Sequence, residues 1–587
     1  MGSVRLRPRA ALLAVTVAAG CLAIDGASAG AATPSELSQR AASLADTVSV
    51  EWSRSLNAAG SIVDPATGQV EGGYGRTFLA YGMLHAELRN PTLDLNAVVA
   101  HALQNPGAVG QAPFNLLGLA ETLLSAGGAL SPELTAALQQ IALSYPPYGR
   151  TSATAPCFQR ANCYDNLKLV SATAVLATLA AVVGQAGPPG STFASPTVAI
   201  TQVRRLLAST IPAVEIPDGE LRVGNARLTG AVLSDPTPDP PAYLALSAML
   251  LGRSLELSAP MPPLALQAFQ RAIVALLGLT APDGNISYMG RGQGQVWTMA
   301  SAAGACALAV RLLPSARLVT SRCEGLIETE LGALAARRSL GGVGIATVPR
   351  LTWTRGVDRY VNRTDYNGLT VYALNLTADA LSGLADPGEQ PTPGAESGER
   401  FVDNAGSGLA TTSLHGLWFA VHRLDSNPAD SRWGFGLMAM ERLEGGSWVS
   451  ELTDRPLGPG VQGPTLLLHG HAYNPIGQSI QITPGRIVIR GGWGTGNHLV
   501  RAATFIYQAT KQGVVLTFPA QRADELEFRE WTLPGETGTM AIAGSGGHEV
   551  VTGPAAPYGD DSSDTVKLIR RTITTTRSGV LSVRWNY

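Results

Sequence analysis

A chain of 587 residues with 45% hydrophobic and 15% charged side chains is too long for one core and too apolar to stay disordered, so two or more domains are expected. Its formal charge of -2 lacks the basic footprint that nucleic acid or an anionic membrane surface attracts, and neither is expected as a partner. Lysine stands only at Lys168, Lys511 and Lys567, so the positive charge is nearly all arginine, a chain-wide bias that singles out no site.

The first elements describe an exported protein. Arg5, Arg7 and Arg9 precede an apolar run from Ala10 to Ile24, and Ala27-Ser28-Ala29 fits a small-residue cleavage site. Residues 1–29 therefore read as a secretory signal peptide of bacterial type. Cys21, after Ala19-Gly20, is a weaker lipoprotein alternative, because Ala18 replaces the expected Leu or Val.

From residue 30 to Leu384 the periodicity is helical. Apolar-periodic segments begin near Pro34, Arg76, Leu95, Phe114, Pro132, Asn166, Thr197, Ala242, Pro263, Gln295, Ala316 and Tyr366. Some, such as Leu169–Val183 and Val296–Val310, are apolar on every face, which predicts burial on every face. Others carry a wet side, as Arg40, Asp46, Glu51 and Arg54 do between Glu36 and Leu56. Inner apolar helices alternating with outer amphipathic ones predict two concentric rings. Residues 385–400 form a Pro/Gly/Glu linker. From 401 to 587 short β-branched runs, such as Ser479–Thr483, Arg486–Arg490, Gly513–Phe518 and Val580–Trp585, predict an antiparallel β-sandwich.

Polar, aromatic-bearing turns open four of the apolar helices. These are Tyr164-Asp165-Asn166-Leu167-Lys168, residues 234–243 ending at Tyr243, the loop Asp283–Trp297, and the cluster from Arg355 to Asn367. The third holds Tyr288, Arg291, Gln293, Gln295 and Trp297. The last holds Arg355, Tyr360, Asn362 and Tyr366. Sugars are bound by such sets, an aromatic face for the ring and amides or guanidinium for hydroxyls and carboxylates. Helix N-termini also favour anionic ligands. Taken singly, Asp165, Asn166, Asp235 and Asp365 read as helix caps, Tyr288 as an aromatic packed at a domain seam, and Trp297 as core.

Cys157 and Cys163 flank a five-residue polar loop and read as a disulfide staple. Cys306 and Cys323 lie on neighbouring predicted helices and are either a disulfide or two buried thiols. His85 reads as a core histidine. His415 follows Ser413-Leu414, and His469 and His471 share a strand face without a carboxylate at metal spacing, so no metal is expected. No nucleophile elbow, phosphate loop or dinucleotide fingerprint is present, and no cofactor is expected.

A helical ring followed by a β-sandwich, with Asn, Tyr and Arg at the ring mouth, resembles the toroid-plus-sheet polysaccharide lyases, the chondroitin AC, hyaluronate, alginate and heparinase II/III-like group. The resemblance implies an α+β multidomain chain, an N-terminal (α/α) toroid of up to six hairpins at 30–384 and a β-sandwich at 401–587. It also implies a secreted enzyme that cleaves an acidic, uronate-containing glycan by β-elimination. Tyr288 would then be the base and acid, Asn166 the carboxylate neutraliser and Arg291 the carboxylate clamp. His415, or failing it His85, would assist, because Leu167 stands where several such enzymes place a histidine after the asparagine. Gln293, Gln295, Trp297, Tyr164, Tyr243, Arg355, Tyr360, Asn362 and Tyr366 would bind substrate. Two other readings use the same loops: a helical-barrel glycoside hydrolase with carboxylates drawn from Asp165, Asp283 and Asp358, and a secreted glycan-binding protein without chemistry.

Overall fold

The computed structural model describes residues 32–65, 68, 70, 73–104, 112–145, 165–233, 241–288, 294–341, 343–345, 363–385, 398–403, 407–424, 434–450, 461–496, 498–532, 540–543, 547–552 and 567–586. The signal segment with Cys21, the pair Cys157 and Cys163, and Tyr164, Arg291, Gln293, Arg355, Tyr360 and Asn362 lie outside them.

Among the described residues the helical half is six hairpins, each an outer helix followed by an inner one. The outer helices are α1 (Pro34–Ser53), α3 (Asn96–Leu103), α5 (Pro132–Leu143), α7 (Pro196–Arg205), α10 (Pro263–Leu279) and α12 (Arg317–Gly341). The inner ones are α2 (Gly75–Arg89), α4 (Ala112–Ala126), α6 (Asp165–Ala181), α9 (Pro241–Leu257), α11 (Val296–Leu312) and α13 (Arg363–Leu381). A four-residue helix, α8 (Ile211–Val214), follows α7. The inner helices pack in the order α2, α4, α6, α9, α11, α13 and back to α2, which closes the ring. Local chemistry sets the starts. Pro34, Pro132 and Pro263 stand in the first helical turns. Thr33 and Glu36 form a reciprocal capping box, and Ser131 accepts from the Leu134 N–H. The inner helices are buried nearly all round, as their uniform apolarity requires. No helix of the described residues is long and apolar enough to cross a membrane.

The helical half is not purely helical. Strands β1 (Glu215–Val223) and β2 (Ala226–Leu233) form a hairpin between α8 and α9. The sequence carries its signal, alternating residues around Gly224-Asn225, which the helical reading of this region passed over. β1 also pairs with β3 (Arg400–Asp403), so the toroid lends two strands to the first sheet of the other half. That sheet continues through β4 (Leu409–Leu414), β5 (Leu417–His422) and β6 (Gly436–Glu444) to β8 (Val461–Leu468), with β7 (Ser447–Ser450) paired to β6. β13 (Glu525–Thr532), β16 (Lys567–Thr574) and β15 (Gly547–Thr552) complete it. The second sheet runs β9 (His471–Thr483), β10 (Arg486–Thr495), β11 (His498–Thr510), β12 (Gly513–Ala520), β17 (Gly579–Asn586) and β14 (Met540–Ala543), all antiparallel.

Along β4, β5 and the first part of β6 the first sheet is buried on both faces. Trp418 and Ala420 join the helical core, while Phe419 and Val421 alternate with them into a core shared with Ile487, Trp493 and Phe505 of the second sheet. Alternating residues thus serve two different cores, and β4 and β5 have no wet face. The seam with the toroid is close. Phe401 lies where any side chain on Gly278 of α10 would stand, and Thr411 donates to the Gly278 carbonyl at 2.7 Å.

Candidate functional site at the mouth of the helical ring

Because each inner helix follows an outer one, all six run the same way and start at one end, the mouth. Side-chain contacts fix this alignment. Tyr74 before α2 stacks on Phe114 at the start of α4, with centroids 4.5 Å apart. Asp365 in the first turn of α13 accepts the Tyr74 and Gly75 N–H groups at 2.7 and 2.6 Å. It therefore caps a neighbouring helix as well as lying in its own first turn. A side chain on Gly73 would collide with that carboxylate, and one on Gly75 with the α13 backbone. Trp297 of α11 lies between Tyr243 of α9 (5.5 Å) and Tyr366 of α13 (6.1 Å). The positive ends of six helix dipoles are thereby gathered around one opening.

Further along the inner helices a charged cluster crosses the ring. Arg253 of α9 forks onto Glu121 of α4 at 2.9 and 2.6 Å and binds Glu256 at 2.5 Å. The Tyr372 hydroxyl of α13 donates to Glu121 at 3.0 Å. Since α4, α9 and α13 are alternate members of the ring, these groups meet across its axis. Glu121 is fully buried, and its charge is balanced where it lies.

Several candidate residues reach the mouth. Asn166 and Lys168 occupy the first turn of α6 and are buried to 7% and 6% exposure. Tyr243 and Tyr366 are half-buried. Gln295 and Trp297 are there too, but sealed: the indole Nε1 donates to the Gln295 Oε1 at 2.5 Å, and both residues are at most 3% exposed. They back the two tyrosines rather than face a ligand, which corrects their reading as substrate contacts. Residues the sequence reading passed over are Tyr74, Phe114, Arg76 and Tyr145, all buried at or near this end. Gly73-Tyr74-Gly75-Arg76, an aromatic and a cation among glycines before an apolar helix, was the available signal for two of them. Burial raises the Tyr145 hydroxyl pKa, with Arg76 opposing.

Other candidates do not reach it. Tyr288 is fully buried, its hydroxyl donates to the Leu279 carbonyl at 2.9 Å, and its ring meets Trp418 edge-on at 5.8 Å across the seam. Burial and the Glu441 carboxylate push its pKa upward, the wrong direction for a base. The Tyr288 assignment is therefore overturned: the loop's aromatic serves the toroid–sheet contact. His415 stands in the β4–β5 turn, two residues past Ser413, whose strand partner Trp418 is the ring that Tyr288 meets. His85 lies near the end of α2, 3.0 Å from the Ser125 hydroxyl, and burial pushes its pKa down to about 3. Asp283 is at the seam, where its N–H donates to Glu441 at 3.0 Å and its carboxylate accepts from Asn285 at 2.8 Å. Among the described residues no His/Cys/Asp/Glu group is arranged to hold a metal.

No family model matches the chain, and no curated protein matches it. Among solved structures, it is similar to the chondroitin AC lyase of Streptomyces coelicolor A3 in complex with chondroitin sulphate, at 12% identity and a TM-score of 0.48, covering 94% of this chain and 79% of that one. It is also similar to the heparan sulfate lyase HepC of Pedobacter heparinus, at 11% identity and a TM-score of 0.38, covering 87% and 72%. A chondroitinase AC lyase studied with oligosaccharides matches at 9% identity and a TM-score of 0.42, covering 94% and 82%. The chain resembles polysaccharide lyases in its layout of helical toroid and antiparallel sheets.

Proposed function

We propose that this chain is an exported polysaccharide lyase that cleaves an acidic, uronate-containing glycan by β-elimination, with Tyr243 in place of Tyr288 as the base and acid. The observation that carries the reading is that Asn166 and Tyr243 stand in the first turns of adjacent inner helices, α6 and α9, which start at the same end of the ring. A proton alpha to a carboxylate is very weakly acidic. Asn166, Lys168 and the helix dipoles would stabilise the charge that moves onto the carboxylate as the proton leaves. Tyr243, with an intrinsic pKa of roughly 10, needs the same positive surroundings to lose its proton first. It then returns the proton to the leaving glycosidic oxygen. Arg291 keeps its proposed part as carboxylate clamp, and Tyr366 that of a sugar contact.

The hydrolase reading is weakened by Asp283, which is committed at the seam; another of its candidates, Asp358, lies outside the described residues. The test is an assay on acidic glycosaminoglycan and alginate-type polymers. A lyase yields ultraviolet absorbance from a conjugated double bond, a hydrolase yields reducing ends without it, and a binding protein yields neither. Either of the last two outcomes defeats the proposal.

A further inference from the structure

Cys306 stands in the middle of α11 and Cys323 in the second turn of α12; both are fully buried. The two helices pack on each other, joined by a short connection, and the two thiol groups are in contact. α11 permits the approach because Ala302, Ala303, Gly304, Ala305 and Ala307 keep it thin around the cysteine. No third ligating group is arranged beside them among the described residues, so a metal is a poor partner for the pair.

We propose that Cys306 and Cys323 are joined by a disulfide in the mature protein, closing the α11–α12 hairpin. The inference rests on the export reading, since thiols in contact are oxidised in export compartments and kept reduced in the cytosol. Two S–H bonds are lost and one S–S bond forms. The two electrons and two protons pass to a disulfide oxidant, a thiol oxidoreductase or glutathione disulfide, which leaves as two thiols. The exchange needs a thiolate and access, so it precedes the packing of α11 against α12. Afterwards the bond is sealed from reductants. The bridge would hold the segment that feeds the mouth. α11 carries Gln295 beside its start and Trp297 in its first turn, and α12 carries Arg337, which donates to the Gly294 carbonyl at 2.8 Å.

The test is peptide mapping of protein denatured and alkylated without reduction, made in two ways. One sample is exported by a bacterial host; the other is refolded from the reduced chain in a glutathione couple. Both should give a linked peptide pair containing Cys306 and Cys323, lighter by two hydrogens than the reduced pair. The linked pair in the refolded sample alone supports the disulfide and counts against export through this leader. Both thiols alkylated in the refolded, native protein overturn the proposal, as does either cysteine linked to Cys157 or Cys163. Native protein should resist reduction that succeeds in denaturant; equal reduction in both would contradict the sealed position.

Discussion

Replacing Glu330 with glutamine is expected to stabilise the protein at neutral and alkaline pH. Glu330 lies midway along α12, fully buried, against the turn at Gly284. Neither carboxylate oxygen has a hydrogen-bond partner among the described residues. Burial raises its pKa well above the usual value, Asp283 adds to the rise, and Arg337 opposes it. The unfolded chain ionises near the ordinary value of about 4.3, so above that pH folding must take up a proton. The contribution of Glu330 is fully present below the unfolded pKa and declines as pH rises toward the folded one, by about 1.4 kcal/mol for each unit. Glu330→Gln keeps the shape and removes the titration. Denaturant midpoints followed by tryptophan fluorescence at about pH 5 and about pH 8 measure the effect. The variant should gain on the wild type between the two, and the gap should close as pH falls toward the unfolded pKa. Parallel pH profiles, or a wild type that is the more stable at alkaline pH, would refute the argument that this carboxyl is held neutral.

Tyr243→Phe should lower kcat on the cleaved glycan by about 10²–10⁴-fold with little change in KM. Tyr288→Phe should leave kcat in place and cost about 1–3 kcal/mol of stability, because it orphans the buried Leu279 carbonyl. The reverse pattern would restore the phenol at 288 as the base. Asn166→Ala should lower kcat by about 10²–10³-fold, measured by ultraviolet product formation. Glu121→Ala should destabilise the ring by about 1–3 kcal/mol in chemical denaturation, since it takes the acceptor from the buried Tyr372 hydroxyl and leaves Arg253 with Glu256 alone.

Much of the fold is written in local terms. All twelve predicted helix starts fall within three residues of the observed ones, as Pro34 and Pro263 do without any shift, because caps, first-turn prolines and periodicity act on neighbours in sequence. The seam is not local, and there the reading failed. Phe401, Trp418 and Tyr288 are apolar or aromatic residues that any core accepts, and only the folded chain shows that they meet between toroid and sheet. The Tyr288 loop is rich in polar groups, which drew attention to it as a ligand site. Yet Ser287 and Asn285 bond to each other and Tyr288 turns inward. A polar turn says that its backbone needs partners; it does not say whether water or protein supplies them. Likewise, the burial of Trp297 depends on Tyr243 and Tyr366, which lie on helices far from it in sequence.

The pairing of β1 with β3 ties the order of synthesis to the order of folding. The β1 edge emerges from the ribosome long before its partner strand, with its N–H and C=O groups open to any other extended chain. A fragment ending in the linker would keep that raw edge and should associate with itself even though its helical ring is closed. The arrival of β3 then shields the hairpin and joins the two halves through one ladder.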